Sequence, residues 1–158
     1  MTDEGKIKKM RKMAEEFFGT QIDPDQIPIN NESIQKLISI RKDTILSEVD
    51  ENESPISWIV VIPTSIRTMD RFLKKDINER QLLDEAVREK KFEALYLCSA
   101  FTVLEHRKKG LAKKLILKAI SKFANDKNIK LYAWPYSKEG KAGTEALSKF
   151  LNRNIFLR

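Results

Sequence analysis

The residues from Leu104 to Leu115, LEHRKKGLAKKL, combine cations with small side chains where a strand is expected to lead into a helix. The first N–H groups of a helix have no partners and lie at the positive end of the helix dipole. Such an end binds phosphate when the backbone can be approached closely, and Gly110 and Ala112 permit that approach. The segment therefore predicts a site for a pyrophosphate-sized anion, surrounded by the charges of Arg107, Lys108, Lys109 and Lys113.

Cysteine and histidine, common catalytic side chains, occur once each. A nucleophilic cysteine needs an activating base. Cys98 lies within an apolar run, which favours a small buried hydrophobic residue. His106 lies among cations, and we interpret it as a loop residue near the anion. One histidine and one cysteine do not supply the usual ligands of a transition metal, so no metal is expected.

The composition narrows the classes of partner. The chain has 158 residues and 41% hydrophobic content, enough for the core of one domain. Its net charge of +7 favours polyanions, which include nucleic acid, an anionic membrane surface and a phosphorylated cofactor. No apolar run reaches the roughly 20 residues that cross a bilayer, and no apolar segment follows the basic N-terminus as in a signal peptide. With a single cysteine, the sequence predicts a cytoplasmic protein.

Alternating strands and helices position the basic segment. The apolar run from Ala94 to Leu104 is bounded by charge and predicts a central strand buried on both faces. A wide apolar face predicts a helix from Leu111 to Ala124. The next strand, Ile129 to Trp134, would join the first through a right-handed parallel crossover. A helix near Lys141 to Asn152 and a strand from Asn154 to Arg158 follow.

The first half of the chain predicts helices around an antiparallel hairpin. Gly5 to Phe18 forms an amphipathic helix, which we expect to dock on the protein by its apolar stripe rather than on a membrane or RNA. The other expected elements are a helix from an Asn31 cap to about Lys42, strands at Thr44 to Val49 and Ile56 to Ile62 with Pro63 ending the second, a short helix capped by Thr64 or Ser65 to about Lys74, and a helix near Asn78 to Lys91 that buries Leu82, Leu83, Ala86 and Val87.

The run Arg107-Lys108-Lys109-Gly110-Leu111-Ala112 matches the R/Q-x-x-G-x-G/A signature of the GNAT acyltransferase superfamily. The surrounding order of strand, helix, strand and helix agrees with it, and the chain resembles this family from Ala94 to Phe156. The resemblance implies one α/β (α+β) domain over residues 1–158, with a mixed central sheet flanked by helices. Residues 94–158 would bind the coenzyme, and residues 1–93 would form a variable half of helices and a hairpin.

The resemblance also implies an activity, the transfer of an acetyl group from acetyl-CoA to a primary amine by direct attack on the thioester. Phe101, Thr102 and Val103 would lie where the central strand splays from the strand Leu131 to Trp134, and would pair with the pantetheine arm. The acceptor amine is not identified, because the variable half builds its pocket. The pyrophosphate would be wrapped by the backbone amides of Arg107, Lys108, Lys109, Gly110, Leu111, Ala112 and Lys113.

The residues expected on the substrate side depart from the family pattern. Many members carry a tyrosine general acid in the last helix, where this chain has Leu151 or, with the match shifted by one residue, Phe150. Members with a glutamate base early in the central strand place it where this chain has Tyr96. Tyr136, the phenol nearest the expected thioester slot, is the remaining candidate proton donor.

Two alternatives stay open. The missing tyrosine favours a non-catalytic GNAT-like module that binds acyl-CoA. The net charge favours a nucleic-acid-binding domain, but the basic runs lack interleaved aromatic residues and carry no recognition motif. We therefore expect neither a specific nucleic acid nor a membrane as partner. An uncovered strand edge at Asn154 to Arg158 would allow a homodimer.

Overall fold

Five strands form one mixed sheet with helices on both faces. The computed structural model describes residues 3–18, 23–28, 30–123, 128–135 and 137–158. The strands are β1 (Ile45–Val49), β2 (Pro55–Thr64), β3 (Ala94–Thr102), β4 (Lys130–Ala133) and β5 (Ile155–Leu157), and the helices are α1 (Asp3–Phe18), α2 (Asn31–Ile40), α3 (Ile66–Leu73), α4 (Glu79–Arg88), α5 (Leu111–Phe123) and α6 (Lys138–Leu151). The strand order is β1-β2-β3-β4-β5, antiparallel from β1 to β3 and parallel from β3 to β5. The predicted α/β class with a mixed sheet is confirmed.

The second half of the chain follows the predicted order. The parallel pairing of β3 with β4 is confirmed, and α5 packs against the sheet through Leu115, Ala119 and Phe123. The predicted last residue of this helix, Ala124, lies outside the described residues. α6 begins earlier than predicted, because the Ser137 side chain accepts a hydrogen bond from the Gly140 amide and caps the helix. β5 lies at an edge of the sheet, and pairing between two copies there stays a prediction.

The hairpin is confirmed, but the prediction that Pro63 ends its second strand is wrong. β2 continues to Thr64, and Pro63 pairs with Leu95 of β3. β1 pairs with β2 only from Pro55 to Val60. At Pro63 the strand therefore has a neighbour on one side only, and a residue without an N–H group is tolerated beside an open edge.

Caps determine where the helices on one face of the sheet begin. Asn30, rather than the predicted Asn31, caps α2 by accepting from the Ser33 amide. Ser65 caps α3, as expected from the two candidates, and Asn78 starts α4 with a capping box. Val87 was predicted to face inward, but it is 41% exposed. The other three residues predicted to be buried, Leu82, Leu83 and Ala86, are confirmed, because α4 packs along one narrower stripe.

Helix α1 docks on the sheet near the C-terminal end of β3. Met10 and Ala14 are buried against Trp58 and Phe101, whose rings stack at a centroid distance of 4.5 Å. The expectation that the apolar stripe packs on the protein is confirmed. Lys8, Lys9 and Lys12 remain exposed.

Candidate functional site: an open strand edge and a turn of unpaired amides

Strand β3 has a free edge over its C-terminal half. β4 pairs with it only from Ala94 to Leu97, whereas β3 continues to Thr102. The two strands therefore separate earlier than the expected Phe101. Beyond Leu97, β2 is the one strand that pairs with β3 within the described ranges. We call the other side of β3, along residues 98–102, the free edge.

Backbone alternation decides which residues face the free edge. The amide of Val103 donates to the Ile56 carbonyl at 2.9 Å and so points toward the hairpin. In an antiparallel ladder the backbone groups of alternate residues point to the same side. Phe101 then also faces β2, while Thr102 and Ala100 face the free edge. Of the three residues predicted to pair with a ligand arm, only Thr102 presents its backbone there, and Ala100 was missed because its direction depends on the strand register.

A β-bulge in β3 lies at the start of the free edge. Val60 and Val61 are adjacent in β2 but pair with Ser99 and Leu97, so Cys98 is the extra residue. Ser99 and Ala100 are exposed, although they belong to a central strand. Burial raises the pKa of the Cys98 thiol well above its usual range, which keeps it protonated. This supports its interpretation as a small hydrophobic residue rather than a nucleophile.

The segment between β3 and α5 forms a tight turn. Residues Leu104–His106 make a single 3-10 turn. After it, Lys108 and Gly110 adopt the left-handed region with φ values of 64° and 73°. Left-handed residues in a loop direct successive N–H groups to one side and form concavities that bind anions. We call residues 107–110 the basic turn.

The amides of the basic turn and of the first turn of α5 have no partners in the described part of the chain. No described residue accepts a hydrogen bond from the backbone N–H groups of residues 108–113. The first bond made there is from the Lys114 amide to the Gly110 carbonyl, at 3.0 Å. A Cβ atom added to Gly110 would meet nothing within 4 Å. The turn is therefore open, and its N–H groups are available to an anion.

The cationic side chains of this region differ in what they contact. Lys108 and Lys109 are exposed, and Lys109 Nζ lies 3.5 Å from His106 Nδ1. Arg107 Nε donates to the Thr102 carbonyl at 3.0 Å. It therefore occupies an acceptor on one of the two residues, Ala100 and Thr102, whose backbone groups face the free edge. Lys113 Nζ lies 3.4 Å from the ring centroid of Phe150. The amides and the lysines of the turn are thus the groups offered directly to an anion.

A buried carboxylate lies behind β3, on the face covered by α2, α3 and α4, and sequence reasoning missed it. Glu79, 5% exposed, accepts from the Ile27 amide at 2.9 Å and from the Tyr96 hydroxyl. Burial raises its pKa, while the hydrogen bonds from Ile27 and Tyr96 oppose that rise. Its own amide donates to the Asp25 carbonyl at 3.0 Å. In the sequence Glu79 is only an acidic residue after a helix cap, a position that is normally exposed.

The candidate proton donor Tyr136 lies outside the described residues. Its described neighbour Trp134 has its ring 4.5 Å from the Arg158 guanidinium, which also donates to the Phe72 and Ile77 carbonyls. The two aligned positions for the missing family tyrosine, Phe150 and Leu151, are at the end of α6. Neither carries a hydroxyl group.

Within the described ranges, no cluster of three or more His, Cys, Asp or Glu side chains is placed to hold a metal ion. No described helix combines the length and apolarity that a membrane span requires. Comparison with protein-family models and with curated proteins gives no match.

Proposed function

We propose that this chain is an N-acyltransferase of the GNAT kind, which transfers an acetyl group from acetyl-CoA to a primary amine. The observation that carries the proposal is the row of amides at residues 108–113, which have no hydrogen-bond acceptor among the described residues and lie beside the free edge. The amides suit a diphosphate. The free edge suits an amide-containing arm, which pairs like an added strand.

The two features fit one ligand because they are joined in sequence and in space. Thr102 ends the free edge and the basic turn follows within a few residues. A ligand that carries a diphosphate at one end of an amide-bearing chain would place its diphosphate on the turn and its chain along Ala100 and Thr102. The thioester would then lie further along β3, toward Cys98 and β4.

The reaction needs few groups from the protein. The nitrogen of the deprotonated amine attacks the thioester carbonyl carbon, the C–S bond breaks, and the leaving thiolate takes a proton. Backbone N–H groups on the free edge polarise the carbonyl oxygen, and positioning supplies much of the rate. Tyr136, which follows β4 in the sequence, is the proposed proton donor to the thiolate.

Acetyl-CoA is expected to stabilise the folded protein. At a ligand concentration of about 100 times Kd, mass action adds about 2.7 kcal/mol to the free energy of unfolding, equivalent to a rise of about 5 to 10 °C in Tm. Differential scanning fluorimetry measures this shift. Inorganic pyrophosphate at the same ionic strength controls for charge neutralisation, and equal shifts from both ligands would contradict the proposal.

A thiol-release assay on the same protein distinguishes a transferase from a non-catalytic module that binds acyl-CoA. Release of free CoA thiol is followed with acetyl-CoA and a panel of primary amines. Amine-dependent release supports the transferase. A large thermal shift without release for any amine supports a module that binds acyl-CoA, which the missing family tyrosine favours.

A further inference from the structure

An exposed aromatic ring stands beside the amides of the candidate site. Phe150, near the end of α6, is 55% exposed, and the ammonium of Lys113 lies 3.4 Å from the centroid of its ring. Single exposed apolar side chains are common and need no explanation by themselves. The position of this ring is what distinguishes it, because Lys113 belongs to the first turn of α5.

Lys113 links the ring to the amides directly. Its backbone N–H is among the unpartnered amides of residues 108–113, and its side chain reaches from there to Phe150. The ring therefore lies one lysine side chain away from the proposed diphosphate position. Lys108 and Lys109 add exposed positive charge on the basic turn. The aromatic ring, the ammonium and the amides thus lie within the length of one lysine side chain of each other. This arrangement suits a ligand in which a flat heterocycle is joined to phosphates.

We infer that Phe150 and Lys113 form a stacking platform for the nucleobase of the acyl donor. The inference rests on the proposed function. Any nucleobase can stack on an aromatic ring, whatever hydrogen-bonding groups it carries, since every base presents a π face. The Lys113 ammonium, which lies over the ring, turns to pair with a phosphate of the same ligand and leaves this face of the ring to the base.

The chain offers a matched control for this platform. Phe156, in the edge strand β5, is also exposed, at 36%, and carries a lysine ammonium, with Lys130 Nζ 5.6 Å from its ring centroid. It lies in β5 at an edge of the sheet, and its lysine partner belongs to β4 rather than to α5. Phe150→Ala and Phe156→Ala therefore remove the same kind of exposed ring–lysine pair, with only the first beside the amides.

The test measures dissociation constants by calorimetry for CoA, adenosine 3′,5′-bisphosphate and 4′-phosphopantetheine. Phe150→Ala is expected to weaken CoA and the bisphosphate by roughly 5- to 150-fold, the usual effect of losing one stacked base. Binding of 4′-phosphopantetheine is expected to change less than about twofold, and Phe156→Ala should bind all three ligands as the unmodified protein does. Phe150→Leu keeps an apolar side chain without a π face and should resemble Phe150→Ala.

The outcomes separate this inference from the proposed function. Equal binding of CoA by Phe150→Ala and the unmodified protein overturns the platform and leaves the coenzyme site in place. A loss of 4′-phosphopantetheine binding as large as the loss of CoA binding also overturns it, because the ring would then act on the arm. If the unmodified protein binds none of the three ligands, both proposals fail.

Discussion

Replacing Gly110 with valine is expected to abolish the acetyl-CoA-dependent rise in Tm while leaving the protein folded. Gly110 has a φ of 73°, in the left-handed region, and the space where its Cβ would lie is empty. A β-branched residue there is strained, at a cost of about 1 to 2 kcal/mol, which an ordinary domain tolerates. Its methyl groups would occupy the open space in front of the amides, so that a diphosphate could no longer reach them.

Gly143→Val is the matched control for this change. Gly143 is exposed on α6, its added Cβ would also meet nothing within 4 Å, and its φ is not positive. The control variant should keep or slightly gain helix propensity, because valine forms helix better than glycine does, and it should keep the full ligand-induced shift. A Gly110→Val protein that retained the full shift would show that the basic turn does not hold the diphosphate.

Replacing Glu79 with alanine is expected to give the largest loss of stability among substitutions of the described charged side chains. The carboxylate accepts from the Ile27 amide and the Tyr96 hydroxyl, and Tyr96 is fully buried. Alanine would leave both donors without a partner, at about 1 to 3 kcal/mol each. Urea denaturation should therefore show a loss of about 2 to 6 kcal/mol, whereas Glu145→Ala on the exposed face of α6 should change stability by about 0.5 kcal/mol or less.

The charge of Glu79 gives this effect a pH dependence with a definite sign. Burial raises the pKa of the folded carboxyl above its ordinary value of 4.5, so the folded protein binds this proton more tightly than the unfolded chain does. Stability from this group is therefore fully present at low pH and is lost as the pH rises from 4.5 through the raised pKa. Two charges also act on the pKa of this carboxyl: that of Arg158 lowers it and that of Asp23 raises it.

Glu79→Gln isolates that dependence, because glutamine does not titrate and still accepts from the Ile27 amide. The free energy of unfolding of the unmodified protein, minus that of Glu79→Gln, should decrease as the pH rises above 4.5. Urea denaturation at a series of pH values measures the difference. A difference that stayed constant or increased with pH would show that the pKa of Glu79 is not raised in the folded protein.

The elements that depend on local patterns were predicted well from the sequence. The apolar run of β3 and the two apolar columns of α5 fix those elements to within a few residues, since hydrophobic periodicity is a local signal. The errors arose where tertiary context decided the outcome. Pro63 continues a strand because β1 has already ended, and Val87 faces solvent because α4 packs along a narrow stripe.

The basic turn and the free edge were predicted to different extents. The small residues and cations of the turn are contiguous, so their chemistry can be read directly from the chain. The direction of Ala100 and Thr102, the bulge at Cys98 and the bond from Tyr96 to Glu79 depend on register or on contacts between distant segments. No local sequence pattern encodes such contacts, and only the folded arrangement reveals them.

In the proposed function, the hydrogen bond from Arg107 to the Thr102 carbonyl competes with the ligand arm. The arm would exchange with the guanidinium for this oxygen, and one bond would replace another at little net cost. In the proposed function, a short ligand that stays on the turn would leave this exchange undone, and only a full-length ligand would pair with the Thr102 carbonyl as well. The proposal therefore assigns selection by ligand length to a single side chain.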